Sequence, residues 1–263
     1  MADPKSIHDL VAANFGPVAE KYATSAGHAN KDALDGLVKL VNRISTDELL
    51  DIATGAGNVA LAFAPYVARS VAFDLTPSML QQTLKTASER GLDNVETVQG
   101  LAEEMPFEAN SFDIVTVRLA PHHYADIQKA VNEMARVVRP GGKVLVVDIT
   151  VPEDDVLDKE INEIELLRDN SHVKNYRPSE WRTMVEAAGL IVESEEIQFY
   201  TEGFEMDFDT WVERIGTPAE KVVELRKRFQ GASPELAATI KLNLYEEKIG
   251  FVWPQLVMVA RKL

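Results

Sequence analysis

The chain has 263 residues, 46% hydrophobic and 26% charged, which suits one folded core near the upper size of a single domain and is too apolar for a disordered chain. Its formal net charge of -15 repels phosphate backbones and anionic lipid surfaces, which argues against nucleic acid as a partner and leaves small molecules open. Cysteine is absent, which removes disulfides, thiolate nucleophiles and cysteine metal sites together.

The start, Met1-Ala2-Asp3-Pro4-Lys5, is not a basic segment followed by an apolar run, so a cytoplasmic location is expected. Apolar stretches such as Val144 to Val147 fall far short of the roughly 20 residues that cross a bilayer, and no integral membrane association is expected. A single domain is therefore expected over 1–263. Residues 1–30 form a helical cap near the mouth of the site, 31–150 a ligand-binding core, and 151–263 a C-terminal part with a helical insertion at about 204–247.

In chain order, short apolar runs alternate with helical patterns between about residues 47 and 150, the signature of a parallel sheet. Five strands are read at Glu48 to Ile52, Ser70 to Asp74, Val95 to Gln99, Phe112 to Val117 and Lys143 to Asp148. Val59, Phe63 and Val67 recur every fourth residue and mark the first crossover helix. Thr76-Pro77 starts a second helix with a capping hydroxyl, and Gly91 ends it. A third helix, from about Asp126 to Val138, buries Ala130, Val131, Met134 and Val138 and stops at Pro140-Gly141-Gly142. Beyond it come a helix at 179–188, a strand from Ile191 to Phe199, the acidic insertion and a last strand near Gln255 to Ala260. Within the insertion, Thr217-Pro218 and Ser233-Pro234 repeat the cap-then-proline start, and the segment is either a lid or a cover for the sheet.

Asp51-Ile52-Ala53-Thr54-Gly55-Ala56-Gly57-Asn58 ends the first strand, where glycines permit a tight turn and close backbone approach to a nucleotide-like ligand. Gly55-x-Gly57-x-x-Ala60 with Asp74, 19 residues after Gly55, also fits a dinucleotide-binding pattern, so the motif alone does not choose a ligand. Asp51 favours a cation at this turn over a pyrophosphate, and S-adenosylmethionine carries a sulfonium and an ammonium. Asp74, at the end of the second strand, is suited to accept hydrogen bonds from two ribose hydroxyls.

With Val71 to Leu75, Gln99-Gly100-Leu101-Ala102-Glu103-Glu104-Met105-Pro106-Phe107, Ser111 to Val115 and Arg136 to Gly142, the set resembles the class I S-adenosylmethionine-dependent methyltransferase superfamily. The resemblance is strongest to the branch related to ubiquinone/menaquinone-biosynthesis C-methyltransferases. Arg118-Leu119-Ala120-Pro121-His122-His123 and Trp253-Pro254-Gln255-Leu256 also resemble bacterial methyltransferase-like proteins of unassigned substrate. The resemblance implies an α/β Rossmann-like sheet of seven strands in the order 3-2-1-4-5-7-6, the last antiparallel, with S-adenosylmethionine as cofactor and S-adenosylhomocysteine as product. It also implies that Ala53, Gly55 and Gly57 line the methionine part, Asp74 and Leu75 the ribose and adenine, and Ala102 and Glu103 the adenine edge, with Arg118 bordering the cofactor. Tyr22 and His28 are candidates to cap it.

Two departures stand out. Leu101 occupies a position where the family usually has an aspartate that accepts from the adenine amino group, leaving Glu103 or a backbone carbonyl to substitute. Ala53 stands where many relatives have glycine, a difference discounted because alanine is small.

Methyl transfer is a displacement at an activated carbon that positioning alone can accelerate, and a base is needed only for a hydroxyl or an acidic carbon. His122 and His123 are the candidate bases, although neighbours on one loop rarely both face one pocket; the alternative is that one packs locally and the other is solvated. Arg118 either holds an acidic substrate or pairs with Asp148, and the pair is expected. No metal is expected. The expected activity is methyl transfer to a small organic acceptor, quinone-like or phenolic, at carbon or oxygen. The alternatives are a cofactor-binding protein without methyl transfer and an NAD-dependent oxidoreductase.

Overall fold

The computed structural model describes residues 6–20, 29–42, 44–198, 205–246 and 248–263. Its main sheet has seven strands: β1 (Glu48–Ile52), β2 (Arg69–Asp74), β3 (Val95–Gln99), β4 (Phe112–Arg118), β5 (Val138–Ile149), β6 (Leu190–Gln198) and β10 (Gln255–Lys262). They lie in the order β3-β2-β1-β4-β5-β10-β6. β1 to β5 pair in parallel, while β10 runs antiparallel to both β5 and β6. This is the expected class I order, with the last strand in the chain inserted before β6.

Alternation along the strands divides the core into two layers. Leu50, Ile52, Val71, Val115 and Val146 face one side, beneath α5 (Ile127–Val137) and α7 (Pro178–Ala187). Leu49, Ile114, Val147 and Val257 face the other, against α2 (Lys31–Leu40) and α3 (Asn58–Phe63). Val59, Phe63 and Val67 all enter this second layer, as their spacing predicts.

The cap-then-proline starts behave differently from one another. Ser233 caps α10 (Pro234–Thr239) by accepting from the Leu236 N–H at 3.1 Å. Thr76 makes no side-chain cap for α4 (Pro77–Glu89); instead its own N–H donates to Asp74. Thr217 turns its hydroxyl to the Arg168 carbonyl at 3.0 Å, and α9 begins at Ala219 (Ala219–Gln230).

Two features are absent from the sequence reading. The first is α6 (Asp155–Arg168), capped by Asp154, whose Oδ1 accepts from Val156 and Leu157, and anchored by Ile161 and Ile164. The second is a small sheet of β7 (Met206–Asp207) and β8 (Asn243–Tyr245), inside the stretch read as helical, and β9 (Lys248–Phe251), just beyond it. With α6, α8 (Phe208–Glu213), α9 and α10 it builds a third core, where Trp211, Phe229, Phe251 and Trp253 meet ring to ring.

Among the described residues, no helix is long and apolar enough to cross a membrane.

Candidate active site

The sheet reverses its winding between β1 and β4, and a cleft opens there at the carboxyl ends of β1, β2 and β4, where α/β sheets bind ligands. It encloses about 1020 Å³ to its open mouth. Asp51, Ala53, Gly55, Asp74 and Leu75 line it at the ends of β1 and β2, Leu101, Ala102 and Glu103 after β3, and Arg118 and His123 at and after the end of β4. Tyr22 and His28 lie outside the described residues.

The glycine turn is held from below. Asp51 is 1% exposed and accepts from the Thr54 hydroxyl at 2.5 Å, the Thr116 hydroxyl at 2.7 Å and the Ala60 N–H at 3.2 Å. Burial pushes its pKa up to about 6, against the pull of these donors and of Arg118. Gly55 has φ +57 and no atom within 4 Å of where a Cβ would stand, so its backbone borders open cleft. Gly57 is not among the lining residues. Its φ is +83 and an added Cβ would meet Thr83 at 2.5 Å, so this glycine serves the turn and the contact between α3 and α4. Ala53 has φ +50, a left-handed conformation that penalises any Cβ, so its replacement of glycine is not neutral.

Asp74 is buried, and each of its oxygens accepts one backbone N–H: Gly55 to Oδ2 and Thr76 to Oδ1, both at 2.8 Å. Burial raises the Asp74 pKa, and the two backbone donors and the Thr76 hydroxyl oppose the rise. Glu103 is also buried, and its Oε1 accepts from the Ala125 and Asp126 N–H groups at 3.0 and 3.4 Å, ahead of α5. That oxygen also meets His8 Nε2 at 3.3 Å and is thereby committed to the protein.

The roof of the cleft comes from α1 (Ile7–Phe15), through His8, Val11 and Phe15. None of 205–251 lines the cleft among the described residues; its buried side chains pack into the third core instead. Sequence reasoning put an N-terminal helix near the mouth but did not name these residues; the capping box of Ser6 and Asp9 was the available signal.

The two histidines separate. His122 does not line the cleft: Asp148 takes its Nδ1 at 2.7 Å and its backbone N–H at 3.0 Å. Burial opposes a charge on His122, but the Asp148 carboxylate outweighs it and the pKa rises above the ordinary value. The pairing of Arg118 with Asp148 is thus replaced by His122, and the charge of Arg118 acts on Asp51. His123 does line the cleft. Its Nδ1 lies 3.0 Å from the Ser171 carbonyl, which can only accept, so Nδ1 carries the proton and Nε2 a lone pair. Burial, then the charge of His122, hold the His123 pKa down to about 3.

Among the described residues, no group of three or more His, Asp or Glu is arranged to hold a metal ion.

A methyltransferase-domain family model matches residues 50–146. The chain is 38% identical over 239 residues to the uncharacterized methyltransferase YcgJ of Bacillus subtilis (strain 168), covering 90% of this chain and 93% of YcgJ. The crystal structure of YcgJ superposes with a TM-score of 0.80 at 35% identity, over 88% of this chain and 98% of that one. The uncharacterized protein YafE of Escherichia coli (strain K12) is 36% identical over 203 residues, 77% of this chain and 94% of YafE. The ubiquinone/menaquinone biosynthesis C-methyltransferase UbiE of Hahella chejuensis is 35% identical over 161 residues, covering 57% of this chain and 63% of UbiE. With the glycine turn, the strand order and a full-length methyltransferase relative in agreement, the chain belongs to the class I S-adenosylmethionine-dependent methyltransferase superfamily.

Proposed function

We propose that the protein binds S-adenosylmethionine in the cleft above β1, β2 and β4 and transfers its methyl group to a small organic acceptor, quinone-like or phenolic, at carbon or oxygen. The observation that carries this reading is Asp74: a buried carboxylate at the end of β2 that lines the cleft beside Gly55. A charged acceptor in this place suits the hydroxyls of a ribose. Asp51 supports the same ligand, because a carboxylate whose burial has pushed its pKa to about 6 gains from a nearby cation and would only repel a pyrophosphate.

When bound, S-adenosylmethionine supplies a methyl group already activated on a sulfonium. The chain's work is then to bind, orient and exclude water. Asp74 holds the ribose; Leu75, Leu101 and Ala102 offer apolar walls to the adenine, and Leu101 in place of an aspartate forgoes one hydrogen bond, worth about 1 kcal/mol. Ala53 and Gly55 border the methionine part, and α1 covers the cleft through Val11 and Phe15.

For an acceptor that must lose a proton, His123 is the proposed base, because its Nε2 is unprotonated at the cleft wall; its low pKa restricts it to acidic acceptors, and His122, held by Asp148 away from the cleft, acts on it only as a neighbouring charge. The test is an acceptor screen over phenols, quinols and quinones with S-adenosylmethionine, following S-adenosylhomocysteine by mass spectrometry. Acceptor-dependent product supports the proposal; tight cofactor binding with no product across the panel favours a binding protein without methyl transfer.

A further inference from the structure

Two oxygens of Ser171 face His123 Nδ1: the carbonyl at 3.0 Å and the hydroxyl at 3.3 Å. The hydroxyl itself donates to Asp169 Oδ1 at 2.6 Å. A hydroxyl has one proton, so Oγ, committed to the carboxylate, can only accept from Nδ1–H, as the carbonyl does. Asp169 thus bears on which ring nitrogen carries the proton, and it does so from outside the cleft, which His123 lines and Asp169 does not.

Asp169 directly follows α6 and is 2% exposed. Its Oδ1 also accepts from the Ser171 N–H at 2.8 Å and from the Asn14 amide of α1 at 2.9 Å, which joins the roof of the cleft to the turn that holds His123. Its Oδ2 is buried with no hydrogen-bond partner among the described residues. An asparagine could accept at Oδ1 without burying an unpaired charged oxygen, so the charge is the part of Asp169 that the turn does not need. Burial opposes that charge, but His123 and the Ser171 donors outweigh it and hold the Asp169 pKa below the ordinary value. Of the charges acting on His123, those of His122 and Arg168 disfavour a second proton on the ring, and that of Asp169 favours it.

We propose that Asp169 is the positioning residue of His123: through Ser171 it keeps the ring proton on Nδ1 and the Nε2 lone pair for the cleft, and its unpaired charge offsets the imidazolium formed when Nε2 takes the acceptor's proton. That proton leaves an acidic oxygen or carbon of the acceptor, the ring then carries N–H on both nitrogens, and water removes the proton afterwards. A base oriented by a further group behind it is the general logic of such sites. Asn14 completes the set only with α1 seated on the cleft. The inference rests on the reading of the cleft as a methyl-transfer site with His123 as base.

The test uses the whole protein labelled with 15N-histidine, with and without S-adenosylhomocysteine, and reads the His123 tautomer from its ring nitrogen signals at neutral pH. The parent is expected to hold the Nδ1–H form. In Asp169→Asn the new amide can donate to Ser171 Oγ, whose proton then turns to Nδ1, so the ratio of Nδ1–H to Nε2–H forms is expected to fall by about threefold or more. Ser171→Ala keeps the carbonyl and loses the hydroxyl; this small change is expected to lower the ratio in the same direction and serves where Asp169→Asn does not fold.

For an acceptor that must lose a proton, Asp169→Asn is expected to lower kcat by about tenfold or more, with KM and S-adenosylhomocysteine affinity within about threefold of the parent. An Nε2–H form in the parent, an unmoved tautomer ratio in the variants, or a loss carried by KM rather than kcat would each overturn the assignment. Failure of S-adenosylhomocysteine to bind would overturn the reading of the cleft instead, and the tautomer ratio, read without ligand, would still decide whether Asp169 sets His123.

Discussion

Asp51 makes a sharp prediction because its environment pulls in two directions. Burial raises its pKa from the ordinary 3.8 to about 6, so its folded-state pKa lies above its unfolded value. Stability from this group is therefore complete below pH 3.8 and is lost as pH rises through about 6, since the ionised form is the one that burial disfavours. At one pKa unit per 1.36 kcal/mol, keeping Asp51 ionised at neutral pH costs roughly 3 kcal/mol, of which about 2 develops between roughly pH 4 and pH 7. Asp51→Asn removes the charge at similar shape. The Thr54 and Thr116 hydroxyls can turn to accept from the new amide, so the loss is of the order of one hydrogen bond, about 1 kcal/mol. The variant should then be about 1–2 kcal/mol more stable than the parent at neutral pH and equal or less stable near pH 4. Thermal melts of both proteins across this range read the difference directly, as a relative shift of roughly 5 °C. A difference in melting temperature that stays constant with pH would refute the desolvation argument. The same variant should bind S-adenosylmethionine more weakly, because the carboxylate that favours a cation is gone.

Three further outcomes follow from the site. Asp74→Ala should weaken S-adenosylhomocysteine by about tenfold or more by calorimetry, from the loss of charged contacts; an unchanged dissociation constant would refute the ribose assignment. Ala53→Gly should raise stability by about 1 kcal/mol by relieving the left-handed alanine at φ +50, and a lower melting temperature would show that the alanine side chain contributes more than its strain. Asp148→Asn should lower the His122 titration, followed by NMR, because the largest charge opposing burial is removed while Glu165 and Asp169 remain; an unmoved titration would mean that Asp148 is not what holds the proton.

The strands were legible because they are written locally, as short apolar runs at β1 to β5 separated by crossover helices with apolar spacing of three and four and by the glycine turn after Asp51, whereas their order came from the family resemblance. Where several local signals coincided, as at Val59, Phe63 and Val67, the structure follows them. Local chemistry misled where a distant partner competes for the same group. Thr217 reads as a cap, yet its hydroxyl goes to Arg168, 49 residues away. Asp148 reads as a partner for Arg118, yet the turn after β4 brings His122 onto it. Helix α6 was legible in principle, from Asp154 followed by Leu157, Ile161 and Ile164, but its acidic start reads as a solvated face. The small sheet was not, since two- and three-residue strands carry too little alternation to stand out. The cofactor cleft was named mostly from its motifs, whereas the set of Asn14, His123, Asp169 and Ser171 joins α1, the turn after β4 and the turn after α6, which meet only in three dimensions.

The central claim is tested most directly by isothermal titration of the purified protein with S-adenosylmethionine, S-adenosylhomocysteine and NAD in parallel. Binding of the first two and not the third is the predicted result; binding of NAD alone would contradict the reading of the cleft.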